Sequence, residues 1–127
     1  MIHHIDIPVD DIARSRSFYD QLLAPLGITA LMHRHNPQGH EAVGYGVTPD
    51  PVFWIRSGRP AIRRLHVGFL ASSRAVVDAF HAAGVAAGGI SNGEPGLRTQ
   101  YEADYYAAYV LDPDGNNIEA VCRGPAV

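Results

Sequence analysis

The chain contains no lysine, and its ten basic residues are all arginines spread along the sequence. With 13 acidic residues the formal net charge is −3, so no basic stripe is available to follow a nucleic-acid backbone. No apolar run approaches the roughly 20 residues that cross a bilayer. The start of the chain, "MIHHIDIPVDD", has no charged leader followed by an apolar stretch. We therefore expect a cytoplasmic protein that binds neither nucleic acid nor membrane.

Cysteine is also scarce, because Cys122 is the single one in the chain. One cysteine cannot form an internal disulfide, which fits a reducing compartment, and without a partner motif it is expected to be a small buried hydrophobe. The length of 127 residues and the hydrophobic content of 46% are typical of one globular domain with a substantial core.

The first half of the chain predicts one strand, one helix and three further strands. Residues 2–9 alternate between apolar and polar, and the pattern becomes helical after Asp11, with Asp10 as the expected N-cap and Gly27 as the expected stop. Three further strands are predicted at 28–34, 41–47 and 52–56.

The second half repeats this order. A strand begins at Arg64, a helix starts at the Ser-Ser pair and stops at Gly88-Gly89, and strand-like segments follow near 86–90, 104–111 and 118–123. A constant shift of 62 positions pairs His4 with His66, Ile5 with Val67, Phe18 with Phe80 and Gly27 with Gly89. Matches that span a strand, a helix and a helix stop indicate a duplication. We predict one domain over 1–127, with a first βαβββ module at about 1–61 and a second at about 62–127.

Residues 91–104 form the longest stretch without a periodic pattern. By its length we interpret this stretch as an irregular loop that acts as a lid or a pocket wall.

Three side chains stand out as candidate metal ligands. His4 and His66 occupy equivalent places in the two modules, each on the face of its strand opposite the apolar residues. In the last strand, alternation places Glu119 on the face opposite Ile118 and Ala120, where it can join the histidines. Two imidazoles and one carboxylate with open positions suit iron, manganese, zinc, nickel or cobalt. The alternative is a polar pocket floor without metal.

The first module offers no matching carboxylate. Aligning the two modules by the turns before their last strands brings Phe53 opposite Glu119. We therefore expect three protein ligands rather than four, or a pocket without metal.

Other polar and aromatic residues have weaker patterns. His33, His35 and His40 surround an "NPQG" turn, which we interpret as a solvated hairpin or pocket rim rather than a second metal site. The four tyrosines between 101 and 109 are core residues by composition, although one or two could line a pocket and donate to a substrate oxygen. Arg98 is either a surface residue or a contact for an anionic group.

The segments "HIDIPVDDIARSRSFY", "HVGF" and "YVLDPDGNNIEAV", in two units that fill the chain, resemble the vicinal oxygen chelate superfamily. This superfamily holds glyoxalase I, bleomycin-resistance proteins and extradiol dioxygenases. The resemblance implies an α+β fold in which paired βαβββ modules form a curved mixed-sheet cup, and it implies a homodimer. In the enzymes, a divalent metal in the cup chelates vicinal oxygens of the substrate. The matching ligand positions are His4, His66 and Glu119.

The sequence departs from each branch of this superfamily. Glyoxalase I has a fourth ligand where Phe53 aligns here, so glyoxalase I activity is not expected. Extradiol dioxygenases share the spacing from Tyr109 to Glu119 but carry an acid-base histidine six to eight residues earlier, where this chain has Tyr101, Glu102 and Ala103. Bleomycin-resistance proteins bind without a catalytic metal, in a cleft between two subunits that is rich in aromatics.

From these observations we predict a metal-dependent enzyme acting on a small substrate with vicinal oxygens. One divalent ion is held by His4, His66 and Glu119 and acts as a Lewis acid. Glu119, Tyr109 and Tyr101 are the candidate catalytic residues, and the predicted substrate pocket contains Phe53, Arg98 and Tyr106. The alternatives are a metal-free binding protein for a small hydrophobic or cationic molecule, and a dimerising module without a ligand.

Overall fold

The computed structural model describes residues 1–125 and contains two successive βαβββ modules. In chain order the elements are β1 (Ile5–Pro8), α1 (Ile12–Leu23), a 3-10 helix (Ala24–Leu26), β2 (Thr29–His35), β3 (Glu41–Val47), β4 (Asp50–Arg56), β5 (His66–Leu70), α2 (Arg74–Ala86), β6 (Ile90–Leu97), β7 (Tyr106–Leu111) and β8 (Asn117–Cys122). The predicted α+β fold of two such modules is confirmed. The segment 57–65 connects β4 to β5.

Each module forms a four-stranded mixed sheet with the same topology. The strand orders are β1-β4-β3-β2 in the first sheet and β5-β8-β7-β6 in the second. The first strand of each module runs parallel to the last one, and the remaining pairs are antiparallel. This topology makes β5 and β8 neighbours, so residues from the two ends of the second module meet on one face.

The strand alternation separates a core face from an open face. In the first sheet Ile7, Val43 and Ile55 are buried, and in the second sheet Val110 and Ile118 are buried as well. These residues belong to one hydrophobic cluster that also includes side chains of α1 and α2, the two helices being in contact. The helices therefore cover one face of both sheets and leave the other face open, where polar and apolar side chains both occur.

The helices begin and end largely where the sequence indicates. Ser73 caps α2 by accepting a hydrogen bond from the Val76 amide, and Gly27, in the left-handed conformation, ends the 3-10 helix that follows α1. The expected N-cap Asp10 was wrong by one residue, because Asp11 accepts the hydrogen bond from the Arg14 amide. No helix within residues 1–125 is long and apolar enough to cross a membrane.

The predicted irregular loop over 91–104 is a strand in its first half. Strand β6 covers Ile90–Leu97 and pairs with β7, with register shifts between Ser91 and Gly93 and between Gly93 and Gly96. Two glycines and Pro95 remove the alternating pattern from the sequence, and Pro95 is tolerated because β6 is an edge strand. The strand-like segment predicted near 86–90 was likewise wrong, since α2 continues to Ala86.

A buried turn before β8 links the two modules. The Asp112 carboxylate accepts hydrogen bonds from the amides of Asp114 and Asn116, and its Oδ2 accepts one from the Tyr19 hydroxyl of α1 at 2.6 Å. Tyr19 is fully buried, and burial raises the pKa of its hydroxyl well above the ordinary value. The turn is thus fixed to the first module, which positions the start of β8 and, further along, Glu119.

Replacing Tyr19 with phenylalanine is expected to lower the free energy of unfolding by about 1–3 kcal/mol. The reason is that the buried Asp112 carboxylate loses one of its hydrogen-bond donors. Urea denaturation of the variant and the parent protein measures the difference. Tyr101 provides a control, because it is exposed and its hydroxyl makes no hydrogen bond within residues 1–125. Replacing it with phenylalanine should leave the free energy of unfolding within about 0.5 kcal/mol of the parent.

Candidate functional site

His66 and Glu119 form a close pair on the open face of the second sheet. His66 begins β5, and the parallel register places Gly68, two residues later, beside Glu119 of β8. His66 Nε2 lies 2.8 Å from Glu119 Oε1. The Glu119 carboxylate is buried, with 4% of the residue exposed, whereas 55% of the His66 side chain is exposed. A buried carboxylate needs a partner to offset its desolvation, and here the imidazole supplies one.

The second oxygen of Glu119 is occupied by a tyrosine. Tyr105, just before β7, donates its hydroxyl to Glu119 Oε2 in a short hydrogen bond. Burial, followed by the hydrogen bond to Glu119, raises the pKa of the Tyr105 hydroxyl above its ordinary value. The hydroxyl therefore stays protonated at neutral pH and acts as a fixed donor that orients the carboxylate.

Sequence reasoning missed Tyr105, which it grouped with the core aromatics. The signal that could have identified it is strand alternation. Tyr105 precedes Ala107 by two positions and Tyr109 by four, so it continues the alternation of β7 onto the same side. Tyr109 is directly opposite Glu119 in the antiparallel register. Tyr105 consequently shares the face that carries the pair.

Tyr109 and Arg98 lie on the same face as the pair. The Tyr109 ring centroid is 6.1 Å from that of His66, and the Arg98 guanidinium lies 5.4 Å from the Tyr109 centroid. Burial, and next the nearby Glu119 charge, raise the pKa of the Tyr109 hydroxyl. Arg98 also donates to the Glu94 carbonyl at 2.6 Å, which fixes its position on the ring. Tyr101, 62% exposed, packs edge-on against Tyr105 with centroids 5.1 Å apart.

If Glu119 is a metal ligand, replacing Tyr105 with phenylalanine should weaken the binding of the divalent ion about 10–100-fold, the usual cost of losing a side chain that orients a metal ligand. The fold should be unaffected, because the hydroxyl lies at the open face. A competition titration with a chromophoric chelator measures the change, and unchanged affinity would mean that Tyr105 does not position Glu119. Tyr106→Phe is a matched control on the same strand.

The structure does not bring His4 to this pair. His4 lies before β1 in the first module, and its Nδ1 is 2.8 Å from Nδ1 of His3. Within residues 1–125, the group of three ligand atoms within 4.8 Å of one another is formed by His33, His35 and Glu41, not by His4, His66 and Glu119. A single chain therefore assembles two of the three predicted ligands.

The open face of the first sheet differs from that of the second. Asp6 of β1 accepts from Arg56 Nε at 2.7 Å, and Arg34 lies 5.3 Å above the ring of Trp54. The register pairs Asp6 with Trp54 in this module and Gly68 with Glu119 in the other. Trp54, rather than Phe53, is therefore the counterpart of Glu119. The indole covers Gly44, where an added Cβ would lie 2.8 Å from the ring.

Two residues of the predicted substrate pocket face other surroundings. Phe53, with 1% exposed, packs in the core because its parity on β4 is opposite to that of Trp54. Tyr106 has the parity of the core residues of β7, and its hydroxyl donates to Asp78 of α2 at 2.6 Å. Of the predicted pocket residues, only Arg98 lies beside the pair.

Comparisons with known proteins identify the family. The model of the Glyoxalase/Bleomycin resistance protein/Dioxygenase superfamily matches residues 1–120, and the chain belongs to this superfamily. A glyoxalase/bleomycin resistance protein from Albidiferax ferrireducens T118 is 37% identical, with 98% of this chain and 99% of that chain covered and a TM-score of 0.79. A search of curated proteins gives no match.

More distant structures share the fold. The E144Q mutant of glyoxalase I from Zea mays is 19% identical at a TM-score of 0.74, and the alignment covers 94% of this chain but 46% of the maize chain. A glyoxalase/bleomycin resistance protein/dioxygenase family enzyme from Burkholderia phytofirmans PsJN is 17% identical at a TM-score of 0.69. These likenesses establish the architecture and leave the reaction of this chain to its own residues.

Proposed function

We propose that the protein is a metal-dependent enzyme that acts on a small substrate with vicinal oxygens. One divalent ion, among iron, manganese, zinc, nickel and cobalt, would be held by His66, Glu119 and His4. The observation that carries this proposal is the buried Glu119 carboxylate, which is held by Tyr105 on one oxygen and faces the His66 imidazole at 2.8 Å on the other.

The residues present fit such an ion. An imidazole and a carboxylate are ligands that these metals accept, and two ligands with bonds of about 2.0–2.2 Å to one ion lie roughly 3 Å apart. His66 Nε2 and Glu119 Oε1 have that spacing. Two residues before Glu119 on the same side of β8, the Asn117 amide oxygen is buried without a hydrogen-bond partner in the described chain, which leaves an acceptor free near the pair.

A homodimer would supply the third ligand. Because His4 lies apart from the pair within one chain, we infer that His4 of one copy faces His66 and Glu119 of the other. Exposed apolar side chains support contact with a second copy: Leu70 is 75% exposed and Val52 is 42% exposed, each with the strand parity of the open face.

The ion would supply Lewis-acid polarisation of a substrate oxygen. Tyr105 holds the Glu119 carboxylate in place, and the Tyr109 hydroxyl is positioned to donate a hydrogen bond or proton to a bound oxygen. Arg98, held on the Tyr109 ring, provides a positive charge for an anionic substrate group. Tyr101 would shield the site from water by covering Tyr105. The buried, unpaired Cys122 supports a reducing, cytoplasmic setting for this enzyme.

Metal analysis of protein purified without an affinity tag tests the proposal. The parent protein should retain divalent metal. The metal content per chain of His66→Ala should be lower by the amount that this site holds. His81→Ala is the control, because His81 is a helix residue bonded to Ser91 on the core side. A parent protein whose metal content does not change on His66→Ala would contradict the proposal.

A metal-free binding protein is the second candidate. It is favoured by the fact that both Glu119 oxygens already have partners within the chain, and by Trp54, an aromatic, at the position equivalent to Glu119. Thermal unfolding distinguishes the two functions. For a metal-free binding protein, divalent ions would give no stabilisation through the His66–Glu119 pair. A hydrophobic or cationic small molecule would instead raise the unfolding temperature.

A further inference from the structure

The hairpin of β2 and β3 carries a cluster of metal-ligand atoms that the site above does not use. His33 and His35 alternate onto one side of β2, and Glu41 is the cross-strand partner of His35. Glu41 Oε1 lies 3.0 Å from His35 Nε2 and 3.3 Å from His33 Nε2. All three ligand atoms are within 4.8 Å of one another, and the two rings are 4.5 Å apart at their centroids.

The backbone holds these three residues in place. Asn36 accepts hydrogen bonds from the amides of Gln38 and His40, and its own amide donates to the His40 carbonyl, which closes the turn between the strands. The Glu41 amide donates to Ser57 Oγ at 2.8 Å, so the start of β3 is also fixed to the segment after β4. The ligand atoms therefore converge without a change in the strand pairing.

The donors and their spacing match a zinc-type ion. Two ligands of a tetrahedral zinc ion with bonds of about 2.0–2.1 Å lie about 3.3 Å apart, close to the separations of Glu41 Oε1 from the two imidazoles. Both imidazoles direct Nε2 toward the same Glu41 oxygen, so the three candidate ligand atoms converge on one point. The side chains of His33 and His35 are 38% and 59% exposed, so an ion can enter from solvent and keep an open coordination position.

We propose that His33, His35 and Glu41 form a second divalent-metal site, which takes zinc or a similar borderline ion and clamps the β2–β3 hairpin. The site lies in the first module, outside the His66–Glu119 pair, and the open coordination position faces solvent at the edge of the first sheet. This proposal goes beyond the sequence-based interpretation of His33, His35 and His40 as a solvated hairpin or pocket rim.

Histidine ring NMR of the parent protein, without an affinity tag, tests this site directly. Zinc ion is titrated while the ¹⁵N resonances of the imidazoles are followed. We expect the ¹⁵N chemical shifts of His33 and His35 to change until this site has taken up one equivalent of zinc. The shifts of His40, at the other end of the same turn, should stay constant. Equal changes at all three residues, or none at His33 and His35, would overturn the proposal.

Affinity measurements separate this site from the His66–Glu119 pair. In a Glu119→Gln background, His35→Ala should weaken zinc binding at least about tenfold, since loss of a ligand should cost no less than loss of the group that orients one. His40→Ala is the matched control and should bind as its background does. Equal affinity of the His35→Ala and His40→Ala proteins would contradict the site, whatever the outcome at Glu119.

Discussion

Replacing Glu119 with glutamine is expected to abolish the stabilisation that a divalent ion gives through the His66–Glu119 pair. Glutamine has the shape of glutamate and can still accept from Tyr105, but a neutral amide oxygen is a poor ligand in place of a carboxylate. At an ion concentration 100 times the dissociation constant, the parent gains about 2.7 kcal/mol, and the variant should gain none.

Thermal unfolding with and without added ion measures this difference. All proteins in this comparison should also carry His35→Ala, so that His33, His35 and Glu41 do not contribute to the ion-induced shift. Glu94→Gln is the matched control, because its side chain is 79% exposed and lies outside the pair. Equal ion-induced shifts in the Glu119→Gln and Glu94→Gln proteins would show that Glu119 is not a ligand.

Mixing two inactive variants is expected to restore metal sites if His4 comes from a second copy. A dimer of one His4→Ala chain and one His66→Ala chain has one site with both defects and one with none. After exchange of subunits, half of the dimers are mixed, so about a quarter of the parent's sites should return. Neither variant alone should form a complete site.

The metal bound by the exchanged mixture, compared with that of the unmixed samples, gives the result. A mixture of His66→Ala with Glu119→Ala provides the control. His66 and Glu119 belong to one pair in the same chain, so every site of a mixed dimer lacks one of the two. This mixture should therefore not recover metal. Recovery in neither mixture would contradict the dimeric site.

The duplication made most of the fold predictable from sequence. His4 with His66 and Phe18 with Phe80 recur at one spacing, and this spacing predicted the first strand and the helix of both modules. The left-handed glycine after α2 is Gly88, one residue before the position that pairs with Gly27. Strand β6 could not be predicted in the same way. Its glycines and Pro95 lack the side-chain alternation on which strand prediction depends, and the strand exists because β7 offers it a hydrogen-bonding edge.

The candidate site was predictable only in part. Parity along β8 placed Glu119 on the open face, and the structure sets it beside His66. Aligning the turns, which differ in length, made Phe53 the first-module counterpart of Glu119. The strand register instead makes Trp54 the counterpart. Tyr105 was missed because composition grouped it with three other tyrosines, and its hydrogen bond to Glu119 depends on tertiary structure. The separation of His4 from the pair likewise depends on the relation between modules.

Anomalous diffraction tests the central claim most directly. Crystals of the tag-free protein grown with manganese or zinc would locate each bound ion relative to the side chains. We predict a peak that contacts His66 Nε2 and Glu119 Oε1, with His4 of a second copy completing the ligands. At a saturating ion concentration, the absence of a peak at His66 and Glu119 would contradict the proposed metal-dependent function.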